Sequence, residues 1–547
     1  MGGWAASLRA FGRVFANPDV RNVQIAGAGS TLGTWAYGVA LPVYAYHAGG
    51  ARAVGLLFFA RFVLAALASP WIGILVDRWS RRRVMLVSDL VRAALMVGMT
   101  VVASAGGNPY LVYVIAVTST IVAVSWIPAE AALMPSLVKS PEELTAANVV
   151  GNTISSVGMF AGPALGGILL AVSGPPSVFA LTAALTLFSA AFVLRVPRDP
   201  PPEQPAERPH FLSELTAGLA AVVRRPALRV VVGLSGAQAV IDGALEVLLV
   251  VLALRLLEGS NATLGWLNTA VGIGSIIGAV LVAVITARRR LAGTLAIGLL
   301  LSAVPLALCA AVSSLVPALV LVGALGVGAI FCQVSSVTLV QRSADNEVMG
   351  RVFAFLGSLV LAGMAIGSIA TPALVSWLGP KGALIAAGSF LPVLLVWLWP
   401  SLRRIDAEAV IAEEPLELLR RIEIFAELPE PVLERLAAEA TPISVAAGQV
   451  VVSRGEVGNH FYAIAAGTAA VERGDGTTRE LGPGDFFGEI ALLRDVPRTA
   501  TVRAVEPLRL FALERDEFIT AVTGHAATFT ATENVVLSRL PAGALAG

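Results

Sequence analysis

The sequence predicts a membrane-embedded all-α domain of twelve transmembrane helices in two six-helix halves, followed by a C-terminal β-roll (jelly-roll) domain with flanking helices. Three observations carry that prediction. Of 547 residues, 56% are hydrophobic and 14% charged, and mean hydropathy is +0.80, whereas an ordinary soluble protein carries roughly 25% charged residues. Apolar runs of about 20 residues, the length that crosses a hydrocarbon core, recur twelve times before residue 400. Beyond Pro400, apolar residues alternate with polar ones and glycines punctuate the runs.

The apolar runs lie near 22–46, 53–76, 84–105, 109–134, 145–173, 177–197, 228–255, 262–286, 291–312, 315–340, 351–378 and 382–400. The longest gap separates the sixth from the seventh. It passes through Arg198-Asp-Pro-Pro-Pro-Glu and an amphipathic piece to Arg224, Arg225 and Pro226, so the membrane part divides six plus six. Cytoplasmic connections retain Lys and Arg. The N-terminus holds Arg9, Arg13 and Arg21, and the even connections hold Arg78, Arg81, Arg82 and Arg83, then Lys139, then Arg195, Arg198, Arg208, Arg224 and Arg225, then Arg288, Arg289 and Arg290, then Arg342. The odd connections hold only Arg52, Arg255 and Lys381. Both termini are therefore expected in the cytosol, with the chain multi-pass in the cell (plasma) membrane.

A net charge of +1, with arginines confined to short loops, gives no footprint for a nucleic-acid partner. Cys309 and Cys332 stand in apolar stretches and suggest neither a disulfide nor a metal site. The segment around Arg9 and Arg13, up to the Asn17-Pro18-Asp19 break, lacks the apolar core and cleavage site of a signal peptide, so the first span is expected to be retained.

The expected boundaries are 1–400 for the membrane part, with spans one to six over about 22–197 and seven to twelve over about 228–400, then 401–414 for a linker and 415–540 for the roll. ELLRRIEIFAELPEPVLERLAAEA has helical spacing broken at Leu428-Pro429, and VVVSRG, HFYAIAAG, TAAVERG and LRLFALER alternate at a period of two. Glycines at 448, 455, 458, 467, 474, 476, 482 and 484 separate these short strands, and Ala526 to Leu540 suits a closing helix.

Within the roll stands FGEIALLRDVPRTATVRA, Phe487 to Ala504. It resembles the phosphate-binding cassette of the cyclic-nucleotide-binding domains of bacterial catabolite activators, cyclic-nucleotide-dependent kinases and cyclic-nucleotide-gated channels. The chemistry suits a cyclic phosphodiester. Gly488 lets backbone approach it, and Ile490 and Ala491 open a short helix whose N–H groups favour an anion. Arg498 supplies a planar, permanently charged fork, and an ionised Glu489 accepts from a ribose 2′-hydroxyl. The resemblance assigns those roles to Gly488, Glu489 and Arg498. His460 stands where many members have Asp, in what reads as a turn. Thr499 follows the arginine as in many cyclic-GMP readers and also in bacterial cyclic-AMP binders, so the regulatory ligand is cyclic AMP or cyclic GMP.

Between spans two and three, GILVDRWSRRRVML resembles the loop signature of the major facilitator superfamily. There Gly73 permits close helix contact, Asp77 caps a helix N-terminus or pairs with a cation, and Arg78 and Arg81 hold the loop at an anionic leaflet. Ser80 replaces the usual second glycine. In span five, Gly158, Gly162, Pro163, Gly166 and Gly167 match the gxxxGPxxGG pattern of exporters in this superfamily, where glycines let backbones touch and the proline sets a bend. Pro128-Ala129…Pro135, Leu144…Asn148 and Gln341-Arg342…Gly350-Arg351 resemble the branch that includes the enterobactin exporter and macrolide-efflux proteins.

Charges inside apolar spans are costly and therefore candidates for function. Asp242 and Glu246 fall one turn apart on one face of span seven, and two carboxylates so placed favour proton uptake near neutral pH. Asp89 and Arg92, three residues apart in span three, suit either a mutual pair or a transport role. Arg61 in span two and Glu130 at the inner end of span four are further candidates that reach an interface or a loop partner instead.

No enzyme constellation appears. Histidines 47, 210, 460 and 525 are scattered, and there is no phosphate loop for ATP or nucleophile elbow, so neither a catalytic residue nor a cofactor is expected. The expected function is a secondary active transporter of a small molecule, a proton-coupled efflux protein working by alternating access and regulated by the cyclic nucleotide. The alternatives are a membrane-anchored cyclic-nucleotide receptor or docking protein with little transport, and a transporter whose roll no longer binds ligand. A channel is set aside, because there is no TVGYG-like filter or arginine-striped helix.

Overall fold

The computed structural model describes residues 15–199, 211–285, 291–344, 346–408, 413–426, 428–474 and 476–523. Two compact units divide at Arg403/Arg404. The N-terminal segment with Arg9 and Arg13, Arg208, the triplet Arg288 to Arg290 and the expected closing helix at 526–540 lie outside the described residues, as does the side chain of Asp77.

Among its described residues, the regular structure of the membrane unit is all helical. Its helices are α1 Pro18–Arg78, α2 Arg81–Ser104, α3 Pro109–Ala123, α4 Trp126–Leu137, α5 Pro141–Ser173, α6 Pro175–Val193, α7 Phe211–Arg224, α8 Pro226–Val251, α9 Asn261–Ile285, α10 Leu291–Leu308, α11 Leu315–Ser343 and α12 Asn346–Glu408. Their starts follow from local chemistry. Asn17, Asn108 and Ser140 each accept a backbone N–H of the first turn, and a proline follows each at a position where a missing N–H costs nothing. Among the described residues, nine segments are long and apolar enough to span a bilayer. Two of them carry two spans each: α1 breaks at Gly49 and Gly50 (φ +64°), and α12 breaks at Gly379 (φ +71°). The carboxylate-bearing α8, 26 residues and so roughly 39 Å long, completes twelve.

Two expectations change. The fourth span is not one helix but α3 and α4, separated at Val124 and Ser125, because Pro128 has no N–H to give the Val124 carbonyl. The expected linker at 401–414 is in large part helix, since α12 continues to Glu408 through the helix-favouring Leu402-Arg-Arg-Ile-Asp-Ala-Glu.

The second unit opens with α13 Glu413–Arg421, a tight turn at Glu423–Phe425 and α14 Glu430–Glu439, broken where Leu428-Pro429 predicts. Strands β1 Thr441–Val445, β2 Val450–Val452, β3 His460–Ala466, β4 Ala469–Arg473, β5 Thr478–Leu481 and β6 Phe486–Phe487 precede a short helix, α15 Glu489–Arg494, and are followed by β7 Ala500–Ala504, β8 Leu508–Glu514 and α16 Arg515–Thr523. They form two antiparallel four-stranded sheets, ordered β1-β8-β3-β6 and β2-β7-β4-β5. His460 opens β3 and is not in a turn, because its neighbours alternate inward and outward along the strand.

One core of the roll is aromatic. Phe461 is wholly buried, stacks on Phe518 at 4.7 Å and on Phe486 at 5.6 Å, and meets Phe425 edge-on at 5.4 Å. Phe461→Ala is therefore expected to destabilise the segment 404–547 by about 3–5 kcal/mol, read from urea unfolding. A loss near zero would mean that this cluster does not hold the entry helices to the sheet.

Candidate functional site

The roll holds a cavity of about 270 Å3, and the sheet register explains its floor. Val452 pairs with Val502, Val502 with Val471, and Val471 with Arg479, so one row across β2, β7, β4 and β5 faces the same space. The opposite wall is Phe487, Gly488, Glu489, Ile490 and Ala491, with Arg498 and the exposed Thr499 beside it. All six sequence-predicted residues thus meet at one cavity. Gly488 sits at φ +99° as the residue before α15, a conformation that favours glycine.

Two charges in this wall are almost wholly buried: Arg498 is 6% exposed and Glu489 2%. Arg498 donates through Nη2 to the His460 carbonyl at 2.7 Å and through Nη1 to the Gly488 carbonyl at 3.1 Å. Its guanidinium lies 5.7 Å from the Tyr462 ring centroid. Its backbone is fixed too, donating to the Glu456 carbonyl and accepting from Gly455 N–H. Burial lowers the Arg498 value, with Tyr462, Glu489 and Glu456 opposing, and the group remains cationic at neutral pH. Burial also pushes the Tyr462 phenol up, with Arg498 opposing. Because His460 acts through its carbonyl, the identity of its side chain does not enter this contact. Arg454, Arg473 and Arg479 also line the cavity. Sequence reading missed them, although Arg479 shares the face of Val471 once the register is known.

In the membrane unit the span-five glycines pack closely on two sides. A Cβ on Gly158 would fall 2.5 Å from Thr31 Cγ2, on Gly162 2.5 Å from Trp35 Cβ, and on Gly166 2.8 Å from the Ala36 carbonyl, so one face meets the first span of α1. On the other face, a Cβ on Gly167 would fall 2.8 Å from Gly265 Cα, and one on Gly265 would fall 3.0 Å from the Pro163 carbonyl. Helix α9 belongs to the second half, so this face joins the halves.

The loop signature is built differently from expectation. Gly73 makes no close helix contact, since a Cβ there would meet nothing within 4 Å. The start of α2 is capped by Ser80, which accepts from Arg83 N, and by Asp199, which accepts from Arg81 N at 2.7 Å, Arg82 N at 3.2 Å and Ser80 Oγ at 2.5 Å. Arg81 also pairs with Asp199 at 4.0 Å, while Arg78 is exposed.

The intramembrane charges separate. Asp89 is fully buried, accepts from Ser189 at 2.6 Å and stands 3.9 Å from Arg92. Arg92 donates to Ser30 and Thr34 of the first span. Arg61 donates to Thr120 at 2.8 Å and lies over the Phe58 and Tyr37 rings. Asp242 accepts from Gln238 at 2.9 Å, and the Gln238 carbonyl oxygen accepts from Ser302 at 2.8 Å. A cavity of about 720 Å3 is lined mainly by α1, α4 and α5, with Arg92 of α2 and Ala123 of α3; Arg92 and Glu130 line it, whereas Asp242 and Glu246 do not.

The Major Facilitator Superfamily description matches residues 24–258 and 234–434, and that of the cyclic nucleotide-binding domain matches 442–525. A cAMP-dependent protein kinase regulatory subunit of Eremothecium gossypii is 49% identical over 73 residues, and the chain spans only 16% of that relative's length and uses 13% of its own. An uncharacterized MFS-type transporter, YfiS, of Bacillus subtilis is 26% identical over 383 residues, covering 66% of this chain and 88% of that one. The crystal structure of the nucleoside transporter NupG superposes with a TM-score of 0.58 at 13% identity over 70% of this chain and 98% of that one, a likeness of fold alone.

A Cβ on the buried Gly458 would lie 2.5 Å from Arg498 Nε, whereas one on Gly482 would meet nothing within 4 Å. Gly458→Ala is expected to weaken cyclic-nucleotide binding by roughly tenfold or more, and Gly482→Ala by less than about twofold. Calorimetry on the two variants checks the contrast, and equal losses would mean that Arg498's placement does not govern the site.

Proposed function

The chain belongs to the Major Facilitator Superfamily and carries a cyclic nucleotide-binding domain after its second half, and on that footing we propose a secondary active, proton-coupled exporter whose alternating access is biased by cyclic AMP or cyclic GMP held in the roll. The observation that carries the regulatory part is the pair of buried opposite charges, Arg498 and Glu489, on one wall of a 270 Å3 cavity. A cyclic phosphodiester complements the first and a ribose 2′-hydroxyl the second, and both contacts gain strength away from water.

The transport part rests on the membrane unit. The chain is a multi-pass membrane protein whose two halves touch through glycine backbones at Gly167 and Gly265, a contact that permits rocking without large side chains having to repack. Efflux is supported by the span-five pattern. Proton coupling is supported by Asp242 and Glu246, carboxylates one turn apart on α8, the first of them tied by Gln238 to Ser302 on α10. Ligand shifts the transport cycle only through unequal affinity for its states, and α12, continuous from the last span to Glu408, is the segment through which that bias would pass.

Two outcomes follow. Arg498→Ala is expected to reduce cyclic-nucleotide affinity at least about thirtyfold, as for one partner of a buried, hydrogen-bonded charge pair. No binding by the wild type, or undiminished binding by the variant, removes the sensor. In vesicles, transport is expected to depend on an imposed pH gradient and to collapse in Asp242→Asn, and indifference to both would remove proton coupling through that residue.

A further inference from the structure

We propose that the 720 Å3 cavity of the membrane unit recognises a hydrophobic organic cation, with Glu130 as counter-charge and Trp126 as aromatic wall, an inference that rests on the transporter reading and supplies its cargo class.

Trp126 and Glu130 are four residues apart on α4 and therefore share a face. Their ends converge on one place. Trp126 Cη2 and Glu130 Oε1 lie 3.4 and 3.6 Å from where a Cβ on Gly27 would stand, so the glycine of the first span leaves room beside both. Helix α4 starts at the backbone break near Ser125, and irregular backbone inside a span is tolerated where it is buried in protein or lines a cavity.

The charge balance points to a cation. Of the cavity's charged side chains among the described residues, Arg92 is already matched: Asp89 lies 3.9 Å away, and Ser30 and Thr34 take two of its N–H groups. Glu130 makes no hydrogen bond or ion pair among the described residues. The cavity therefore presents one uncompensated carboxylate among apolar walls, where a matching charge is worth more than in water. The Trp126 indole lines the same cavity, and an aromatic ring is a favourable neighbour for a guest of that sign. The volume lies within the roughly 300–1,000 Å3 of sites for drug-sized molecules, and Ile127, Met134 and Ile154 supply the apolar lining.

Tetraphenylphosphonium and tetraphenylborate share shape and hydrophobicity and differ in sign, so their binding to the purified full chain in detergent isolates the charge preference. The cation is expected to bind roughly tenfold or more tightly than the anion. Glu130→Gln should reduce cation binding by a similar factor without weakening the anion, and Glu130→Asp should restore part of the cation binding. Equal or tighter binding of tetraphenylborate by the wild type overturns the proposal whatever the variants do, and so does a Glu130→Gln protein that retains tetraphenylphosphonium. Vesicle transport of a neutral or anionic solute, with no cation preference in binding, would overturn this cargo class while leaving the transporter reading intact.

Discussion

A bilayer offers the backbone no hydrogen-bond partner, and the membrane unit is organised by that constraint. Among the described residues every span is helical, and the breaks inside the long helices and within span four fall where glycine or proline stands: Gly49 and Gly50, Gly379, and the break before Pro128. Since lipid is as apolar as leucine, helices associate by close approach. The small residues of α5 fulfil that role on both faces, one against the first span and one against α9 of the other half. The same constraint makes charge scarce. Three of the intramembrane carboxylates are in distinct settings: Asp89 tied to Ser189 and Arg92, Asp242 tied to Gln238, and Glu130 lining a cavity.

The roll answers to ordinary aqueous physics and can bury a permanent charge by different means. Two carbonyls, an aromatic ring and a carboxylate nearby hold Arg498 in a wall otherwise built from strand residues. The glycines at 458 and 488 matter because a side chain at either would fall within 2.5 Å of that guanidinium. Arginine placement and glycine placement are therefore one design.

The number and order of the spans were legible because length and hydropathy are local quantities and because Asn17, Asn108 and Ser140 announce their helices. The nucleotide cassette was legible for the same reason, its glycine, acid and arginine lying within eleven residues of one another. What stayed hidden depends on distant pairing. Asp199 caps a helix that begins 118 residues earlier, so the loop's own Asp77 looked like the natural cap. Arg479 reaches the cavity only through the β4–β5 register. Glu130, at the inner end of span four, suggests an interface or loop partner from its position alone, whereas the packing of α4 against α1 and α5 brings it to a cavity.

The central claim is that a nucleotide in the roll changes the balance between transporter states. The most direct measurement is the distribution of distances between two spin labels, one on each six-helix half, in the full chain with and without cyclic nucleotide. A shift in the populations of the wild type that vanishes in Arg498→Ala is the result this account predicts. An unchanged distribution in a protein shown by calorimetry to be saturated with nucleotide would contradict it.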